Sequence, residues 1–136
     1  MIKAINHDQS FLQQRAIPAT KQDLNIGIDL QDTLKAHQNE CIGMAANMIG
    51  VNKAVIIATL GPFNVVMYNP QITQKLIPYQ TEEGCLSLQG KRPVTRYRQI
   101  KLTFYNQEWQ PQFLQLSDLP AEIIQHEVDH LNGILI

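Results

Sequence analysis

A C-terminal segment, residues 117–131, constrains the fold most strongly, because an apolar helical period and two histidines occur in it together. Apolar side chains recur every three to four residues, as on one face of a helix, at Leu119, Ile123, Ile124, Val128 and Leu131. Ser117 or Asp118 can cap the first turn, and Pro120 is tolerated within it. The sequence therefore predicts an amphipathic C-terminal helix of more than three turns.

The polar residues of this helix have the spacing of a metal-binding motif. His126 and His130 are four residues apart, which places both imidazoles on one helical face, where they can bind one ion. Glu127 lies one residue further round, within reach of a water at the ion, as a general base must be. The alternative is a pair of solvated or core-capping histidines. Average residue usage makes a chance His-Glu-x-x-His pattern rare, which disfavours that alternative. We therefore predict a divalent metal ion with Glu127 as its acid/base.

A third ligand is expected elsewhere, because a catalytic tetrahedral site normally has three protein ligands. The position at which metzincin proteases carry a third histidine holds Ile136, so the ligand is sought upstream. The candidates are carboxylates and four other side chains, Cys85, Cys41, His7 and His37. Cys85 has the most favourable surroundings, because Gly84 permits an unusual backbone turn beside the thiol. The opposing interpretation is that Cys85 is a small, buried, apolar residue.

The rest of the chain predicts one α+β domain over residues 1–136. A helix capped by Asp23 is expected to run to about His37, with apolar residues at helical spacing, namely Leu24, Ile28, Leu30 and Leu34. Strands are predicted at residues 53–59, 63–68, 72–78, 99–105 and 112–116, from β-branched residues and apolar alternation. Residues 41–50 are small and apolar without a period, so close approach of the backbone to another group is expected there. The predicted fold is mixed, mostly antiparallel β-structure packed around the C-terminal metal-binding helix, with an N-terminal helix.

Composition excludes some classes of partner. The formal net charge is −1 and the basic residues are scattered, so the chain lacks the electrostatic footprint of a nucleic-acid-binding protein. The N-terminal residues have no apolar core of signal-peptide length, and no apolar run is long enough to cross a bilayer. We expect a soluble, cytoplasmic protein without nucleic-acid or membrane partners, whose two cysteines are free thiols.

Three segments together point to a family. They are GMAANMIG at residues 43–50, EGCLS at residues 83–87 and QHEVDH at residues 125–130. In this order the segments resemble the peptide deformylase family, and the similarity spans nearly the whole chain. The resemblance implies an α+β fold in which Cys85, rather than Cys41, joins His126 and His130 as a metal ligand. Iron(II) is the usual ion of that family and zinc and nickel are substitutes, among which the sequence does not choose.

The resemblance also implies a reaction. A deformylase hydrolyses the N-formyl group of N-terminal formylmethionine on newly made polypeptides. Glu127 would help activate water and then protonate the departing amine, and the backbone N–H of Leu86 would hold the developing oxyanion. Binding of formylmethionyl peptides would involve an apolar pocket formed by the metal helix and by Ile42, Gly43 and Met44.

Two further features concern the surroundings of this site. Glu83 and Arg96 are expected by resemblance to form a supporting ion pair behind the cysteine loop, the alternative being two unrelated surface charges. Met48 stands where the family typically has a glutamine whose amide donates a hydrogen bond to the oxyanion. Methionine cannot donate one, so reduced activity is expected. The alternative function is a catalytically silent deformylase-like protein that binds metal or peptide ends.

Overall fold

The molecule is a five-stranded antiparallel sheet with helices at both ends of the chain. This computed structural model describes residues 1–135, with Leu88 as backbone only, and Ile136 lies outside the described residues. The helices are α1 (Gln9–Leu12), α2 (Leu24–Ala36) and α3 (Asp118–Leu131), and the strands are β1 (Gly43–Ala45), β2 (Val55–Leu60), β3 (Phe63–Cys85), β4 (Leu88–Tyr105) and β5 (Pro111–Ser117). The strands pair in chain order, β1-β2-β3-β4-β5. The predicted α+β fold is confirmed, and no described helix is long and apolar enough to span a membrane.

The β3–β4 hairpin is much longer than the sequence indicated. Strands were predicted at residues 72–78 and 99–105, but β3 continues to Cys85 and β4 begins at Leu88. The arms of this hairpin are largely exposed, so they carry no apolar alternation by which a strand is recognised. The hairpin ends in a tight turn immediately after Cys85, where the register shifts between Glu83 and Cys85. The turn presents the thiol at the tip of the hairpin.

Helix α2 begins at the predicted place with a different cap. A 3-10 turn, Lys21–Asp23, precedes it, and Thr20 caps that turn in a reciprocal arrangement with the Asp23 carboxylate. Asp23 itself makes no side-chain cap to α2, so the predicted cap was wrong. Ile28 is also exposed, because the buried face of α2 is formed by Ile26, Leu30 and Leu34.

Gly27 has a packing reason to be a glycine. A Cβ at this position would lie 2.2 Å from the phenolic oxygen of Tyr68. That hydroxyl is 2.7 Å from the carbonyl of Leu24, to which it donates a hydrogen bond. Glycine disfavours a helix by about 1 kcal/mol relative to alanine. The protein tolerates this cost at Gly27 because β3 approaches the backbone of α2 there.

Helix α3 packs against the sheet through a nearly continuous buried face. The apolar residues of this face are Ala121, Ile123, Ile124 and Leu131. Leu119 was assigned to this face but is 56% exposed. Ser117 occupies the N-cap position without a side-chain hydrogen bond. The period was therefore read correctly except at its first member, which lies before the helix reaches the core.

Gln125 fixes α3 to the hairpin. Strand β5 pairs with β4 only as far as Gln99, and beyond that point the Gln125 amide bonds the β4 backbone instead. Its nitrogen donates to the carbonyl of Tyr97 at 2.8 Å, and its oxygen accepts from the N–H of Tyr97 at 2.9 Å. This buried side chain thus helps to set the position of the helix relative to the hairpin.

Replacing Gln125 with leucine is expected to lower the free energy of unfolding by roughly 2–3 kcal/mol, because two backbone groups of Tyr97 lose their partners. Urea unfolding followed by circular dichroism measures the change. Exposed Gln115 on β5 provides the control, and its replacement by leucine should change stability by less than about 0.5 kcal/mol. Equal effects of the two substitutions would contradict the proposed anchor.

Candidate metal centre

The structure brings three of the predicted residues together. The ligand atoms of Cys85, His126 and His130 all lie within 4.8 Å of one another. The two histidines come from adjacent turns of α3, and the cysteine comes from the tip of the β3–β4 hairpin. The structure thus joins positions that are more than forty residues apart in the sequence.

The geometry of this group fits one shared ion. The Nε2 atoms of His126 and His130 are 3.1 Å apart. Two imidazole nitrogens bound to one tetrahedral ion at normal bond lengths are about 3.3 Å apart. A thiolate and two imidazoles also form a donor set that suits zinc or iron. The residues present therefore fit a divalent metal ion.

Glu83 and Arg96 orient the histidine nearest the hairpin. The Nδ1–H of His126 donates to Glu83 Oε1 at 2.7 Å, which leaves Nε2 for the ion. Arg96 donates to both oxygens of Glu83, with the shortest bond at 2.7 Å. The two charges are therefore in contact and buried.

Asp129 completes this buried network and was not identified from the sequence. Its Oδ2 is 2.7 Å from Nη1 of Arg96. The signal was available in the motif, because Asp129 lies three residues after His126 and so on a neighbouring part of the helix surface. Arg96 thereby ties the cysteine loop, through Glu83, to the metal helix.

Replacing Arg96 with leucine is expected to lower the free energy of unfolding by about 3–5 kcal/mol, because two carboxylates at the site then lose their cation. Chemical unfolding of metal-free protein measures the change. Arg98→Leu is the matched control, since Arg98 is 55% exposed and 3.8 Å from Asp118; it should cost no more than about 1 kcal/mol. Comparable losses in both variants would show that the buried network has no special role.

Glu127 is buried beside the three candidate ligands. Its Oε1 has no protein hydrogen-bond partner. Burial raises the pKa of Glu127 to about 7, although the charge of His126 acts in the opposite direction. A carboxyl group with a pKa near neutrality can both accept and return a proton.

Gly43 lets the first strand approach this carboxylate. A Cβ at Gly43 would lie 2.7 Å from Glu127 Oε2 and 2.9 Å from Cγ2 of Ile123. The close approach expected for residues 41–50 therefore occurs at Gly43, on β1. A side chain at this position would displace the Glu127 carboxylate or the Ile123 side chain in the wall of the cavity.

Without an ion, the pKa values of the two histidines are shifted in opposite directions. Burial lowers the pKa of His126, but hydrogen bonding with Cys85 and the charges of Glu127 and Glu83 outweigh burial and raise the pKa to about 10. Burial and the charge of His126 lower the pKa of His130 to about 3. Of the two imidazoles, that of His126 therefore keeps its extra proton, and binding of a cation through its Nε2 would release that proton.

A cavity of about 550 Å³ opens onto the group. Its lining includes Ile42, Gly43 and Met48, which were predicted to bind substrate, and Leu86, whose N–H was predicted to hold the oxyanion. Met44 does not, because its side chain is fully buried in the core. The prediction that Met44 contributes to the pocket is therefore not met by this structure.

The other candidate ligands lie outside the group. Cys41 lines the cavity, but burial raises its pKa to about 11, which disfavours the thiolate needed for ligation. His37 bonds with Glu40 on the surface. His7 is exposed, and its Nδ1 is 3.0 Å from the carbonyl oxygen of Ser87 in the cysteine loop.

Met48 lies beside the site on a 3-10 turn, Ala46–Ile49. Its side chain is buried, and its Sδ accepts a weak hydrogen bond from the N–H of Ala45 at 3.5 Å. The neighbouring Asn47 amide donates to the carbonyl of His130 at 2.8 Å. The Asn47 bond holds the turn against α3. Met48, the third residue of the turn, provides no hydrogen-bond donor to the cavity.

Comparisons with known proteins agree with this arrangement. The family model described as polypeptide deformylase matches residues 1–136. A peptide deformylase of Clostridium beijerinckii is 46% identical over 136 residues, covering 100% of both chains. The crystal structure of peptide deformylase from Thermotoga maritima is similar with a TM-score of 0.89 and 28% identity, covering 99% of this chain and 95% of that one. A Met-Ala-Ser-bound class I type b deformylase from Acinetobacter baumannii gives a TM-score of 0.88 at 28% identity, covering 99% and 97%. This chain belongs to the polypeptide deformylase family.

Proposed function

We propose that this protein removes the N-formyl group from the N-terminal formylmethionine of newly made polypeptides, as a metal-dependent hydrolase acting in the cytoplasm. The observation that supports this most directly is the unpartnered, buried carboxylate oxygen of Glu127 beside the Cys85, His126 and His130 group. A buried carboxylate without a protein partner is costly, and a reacting water in the cavity is its natural partner.

Cys85, His126 and His130 would hold the ion, for which we propose iron(II), with zinc or nickel as substitutes. When bound, the ion supplies Lewis-acid polarisation of the formyl oxygen and makes water more acidic. Glu127 accepts a proton from the attacking water and delivers it to the departing amine as the C–N bond breaks. The backbone N–H of Leu86 donates to the oxygen that becomes negative. The products are formate and a free amino terminus.

The cavity accounts for the substrate class. Its walls include the apolar side chains of Ile42, Leu119 and Ile123, which suit a methionine side chain. Gly43 brings extended backbone to the edge of the cavity, where a peptide can pair with it as an added strand. A formyl carbon carries only hydrogen, so the space between Gly43 and Glu127 favours it over larger acyl groups.

The decisive experiment measures formate release from formyl-Met-Ala and acetate release from acetyl-Met-Ala by anaerobically prepared protein. Protein loaded with iron(II), zinc or nickel is compared with chelated protein and with Cys85→Ser. Formate release that requires metal and Cys85, without acetate release, is the expected result. Equal rates on both peptides would indicate a general N-acyl hydrolase.

A second function is supported by one observation. Met48 leaves the cavity without a side-chain donor at the oxyanion position, as in a protein that binds formyl-peptide ends without turning them over. In that case the metal-loaded protein would bind formyl-Met-Ala in calorimetry and release no formate. Glu127, which a binding module does not need, favours the hydrolase.

The pH dependence of the reaction is expected to report the state of Glu127. Because Glu127 acts first as a base, kcat/KM should fall as the pH drops through its pKa of about 7. A cation at the site favours the carboxylate, so the acid limb should lie at or below that pH. The profile is measured from about pH 5 to about pH 9, with metal content checked at each pH. Activity that rises steadily as the pH falls through this range would exclude Glu127 as the base.

A further inference from the structure

The segment before α1 contacts two walls of the cavity in succession. The backbone N–H of Asn6 donates to the carbonyl oxygen of Met48 at 2.7 Å, and the Asn6 side-chain amide donates to the preceding carbonyl of the same 3-10 turn at 3.2 Å. The next residue, His7, has its Nδ1 atom 3.0 Å from the carbonyl oxygen of Ser87. Met48 and Leu86, the residue before Ser87, both line the cavity. Two consecutive residues therefore connect the 3-10 turn with the tip of the β3–β4 hairpin.

The turn at the hairpin tip depends on contacts from outside the hairpin. Cys85 pairs with Leu88, so Leu86 and Ser87 form a two-residue turn, and neither has a positive φ. Two-residue turns between paired strands usually have positive φ, because the turn then follows the twist of the strands. The hydroxyl of Ser87 is also buried without a protein partner. The hydrogen bond with His7 is therefore expected to be a main constraint on this turn.

The hydrogen bond of His7 acts on geometry more than on stability. The carbonyl oxygen of Ser87 can only accept, so Nδ1 of His7 carries the hydrogen and donates it. The His7 residue is exposed, and one hydrogen bond contributes only modestly to the free energy of unfolding. In a reacting site, however, a displacement of about 1 Å can lower turnover by about 10²-fold. A small shift of the tip turn would therefore affect the reaction before it affects the fold.

Resting on the proposed function, we infer that His7 is a positioning residue, which acts through Ser87 and holds the Leu86 N–H in the direction of the developing oxyanion. Asn6 fixes the same segment to the turn that carries Met48, so the tip turn is held relative to that part of the cavity wall. Met48 supplies no donor, since its Sδ only accepts from the N–H of Ala45. The Leu86 N–H is then the one backbone or side-chain donor that the proposed mechanism gives to the oxyanion, and its orientation has no substitute.

The test uses two amide side chains that each resemble one edge of the imidazole. The side-chain nitrogen of asparagine lies close to the position of Nδ1, whereas that of glutamine lies close to the position of Nε2. His7→Gln and His7→Leu are expected to lower kcat for formyl-Met-Ala by about tenfold with KM within about twofold, because the oxyanion donor is misplaced but not removed. His7→Asn should keep kcat within about twofold of the parent. Gln9→Leu, at an exposed position nearby in the chain, is the matched control and should also stay within about twofold.

A second measurement separates this inference from the proposed function. The backbone order parameter of the Leu86 N–H is measured by NMR relaxation on zinc-loaded protein, which requires no turnover. In His7→Leu and His7→Gln it should fall from about 0.85, typical of rigid backbone, towards about 0.6, and in His7→Asn it should stay high. If the order parameter responds in this way but the parent releases no formate, only the hydrolase proposal fails. An unchanged order parameter in His7→Leu and His7→Gln, or a fall in kcat that asparagine does not rescue, overturns the inference.

Discussion

Replacing Glu127 with glutamine is expected to lower kcat for formyl-Met-Ala by roughly 10³-fold while one equivalent of metal remains bound. Glutamine keeps the size of the side chain but can neither accept the proton of water nor return it to the amine, and such proton transfer contributes 10²–10⁴-fold. The candidate ligands are unchanged, so metal content should be unaffected. Formate release and metal analysis on the same preparation measure both quantities.

The control is a carboxylate of the same helix that lies away from the cavity. Asp118 is at the start of α3 with its side chain 75% exposed, and Asp118→Asn should leave kcat within about twofold. If Glu127→Gln retained a tenth of the parent kcat with metal bound, Glu127 would not be the acid/base. A loss of metal in that variant would instead show that Glu127 supports ligation.

Replacing Met48 with glutamine is expected to raise kcat by roughly 10- to 100-fold. A preorganised donor to an oxyanion contributes about 10²–10³ in turnover, and Met48 supplies none, since its Sδ only accepts from Ala45. The gain should be partial, because the 3-10 turn has packed around a thioether. Steady-state formate release at saturating formyl-Met-Ala measures the gain.

Met48→Leu separates a donor effect from a packing effect. Leucine has a similar volume and no donor, so its kcat should not exceed that of the parent. If glutamine and leucine accelerated the reaction equally, relief of crowding in the cavity would explain the gain. A folded, metal-loaded Met48→Gln protein that is no faster than the parent would mean that the Leu86 N–H and the ion already stabilise the oxyanion sufficiently.

Helix α3 and its motif show what local sequence determines. The apolar period and the His-Glu-x-x-His spacing follow from 3.6 residues per turn, so the helix, its buried face and the pairing of His126 with His130 were predictable without a tertiary model. The same holds for strands with apolar alternation, such as β5. The resemblance to deformylases selected Cys85 as the third predicted ligand. The residues around Cys85 favoured that role, but they did not indicate that its thiol would lie beside His126 and His130.

Errors in the predicted elements arose where a neighbouring part of the chain decides the outcome. Asp23 can cap a helix, but Thr20 starts a 3-10 turn that uses its carboxylate first. Ile28 and Leu119 fit their helical periods, yet more than half of each residue's surface is exposed. Met44 belongs to a substrate-binding motif by its position, but its side chain points into the core. Periodicity describes a face of an element and does not reveal which part of that face another element covers.

The sequence by itself determined helix α3, the shared face of His126 and His130 with Glu127 beside them, and the order of the main elements, because these depend on residues close together in the chain. Only the tertiary structure decided how the hairpin tip meets that helix. The Gln125 bonds to Tyr97, the bridge from Arg96 to Asp129 and the approach of Gly43 to Glu127 all join distant segments. Such contacts depend on pairing between distant strands and helices, whose energies no local pattern encodes.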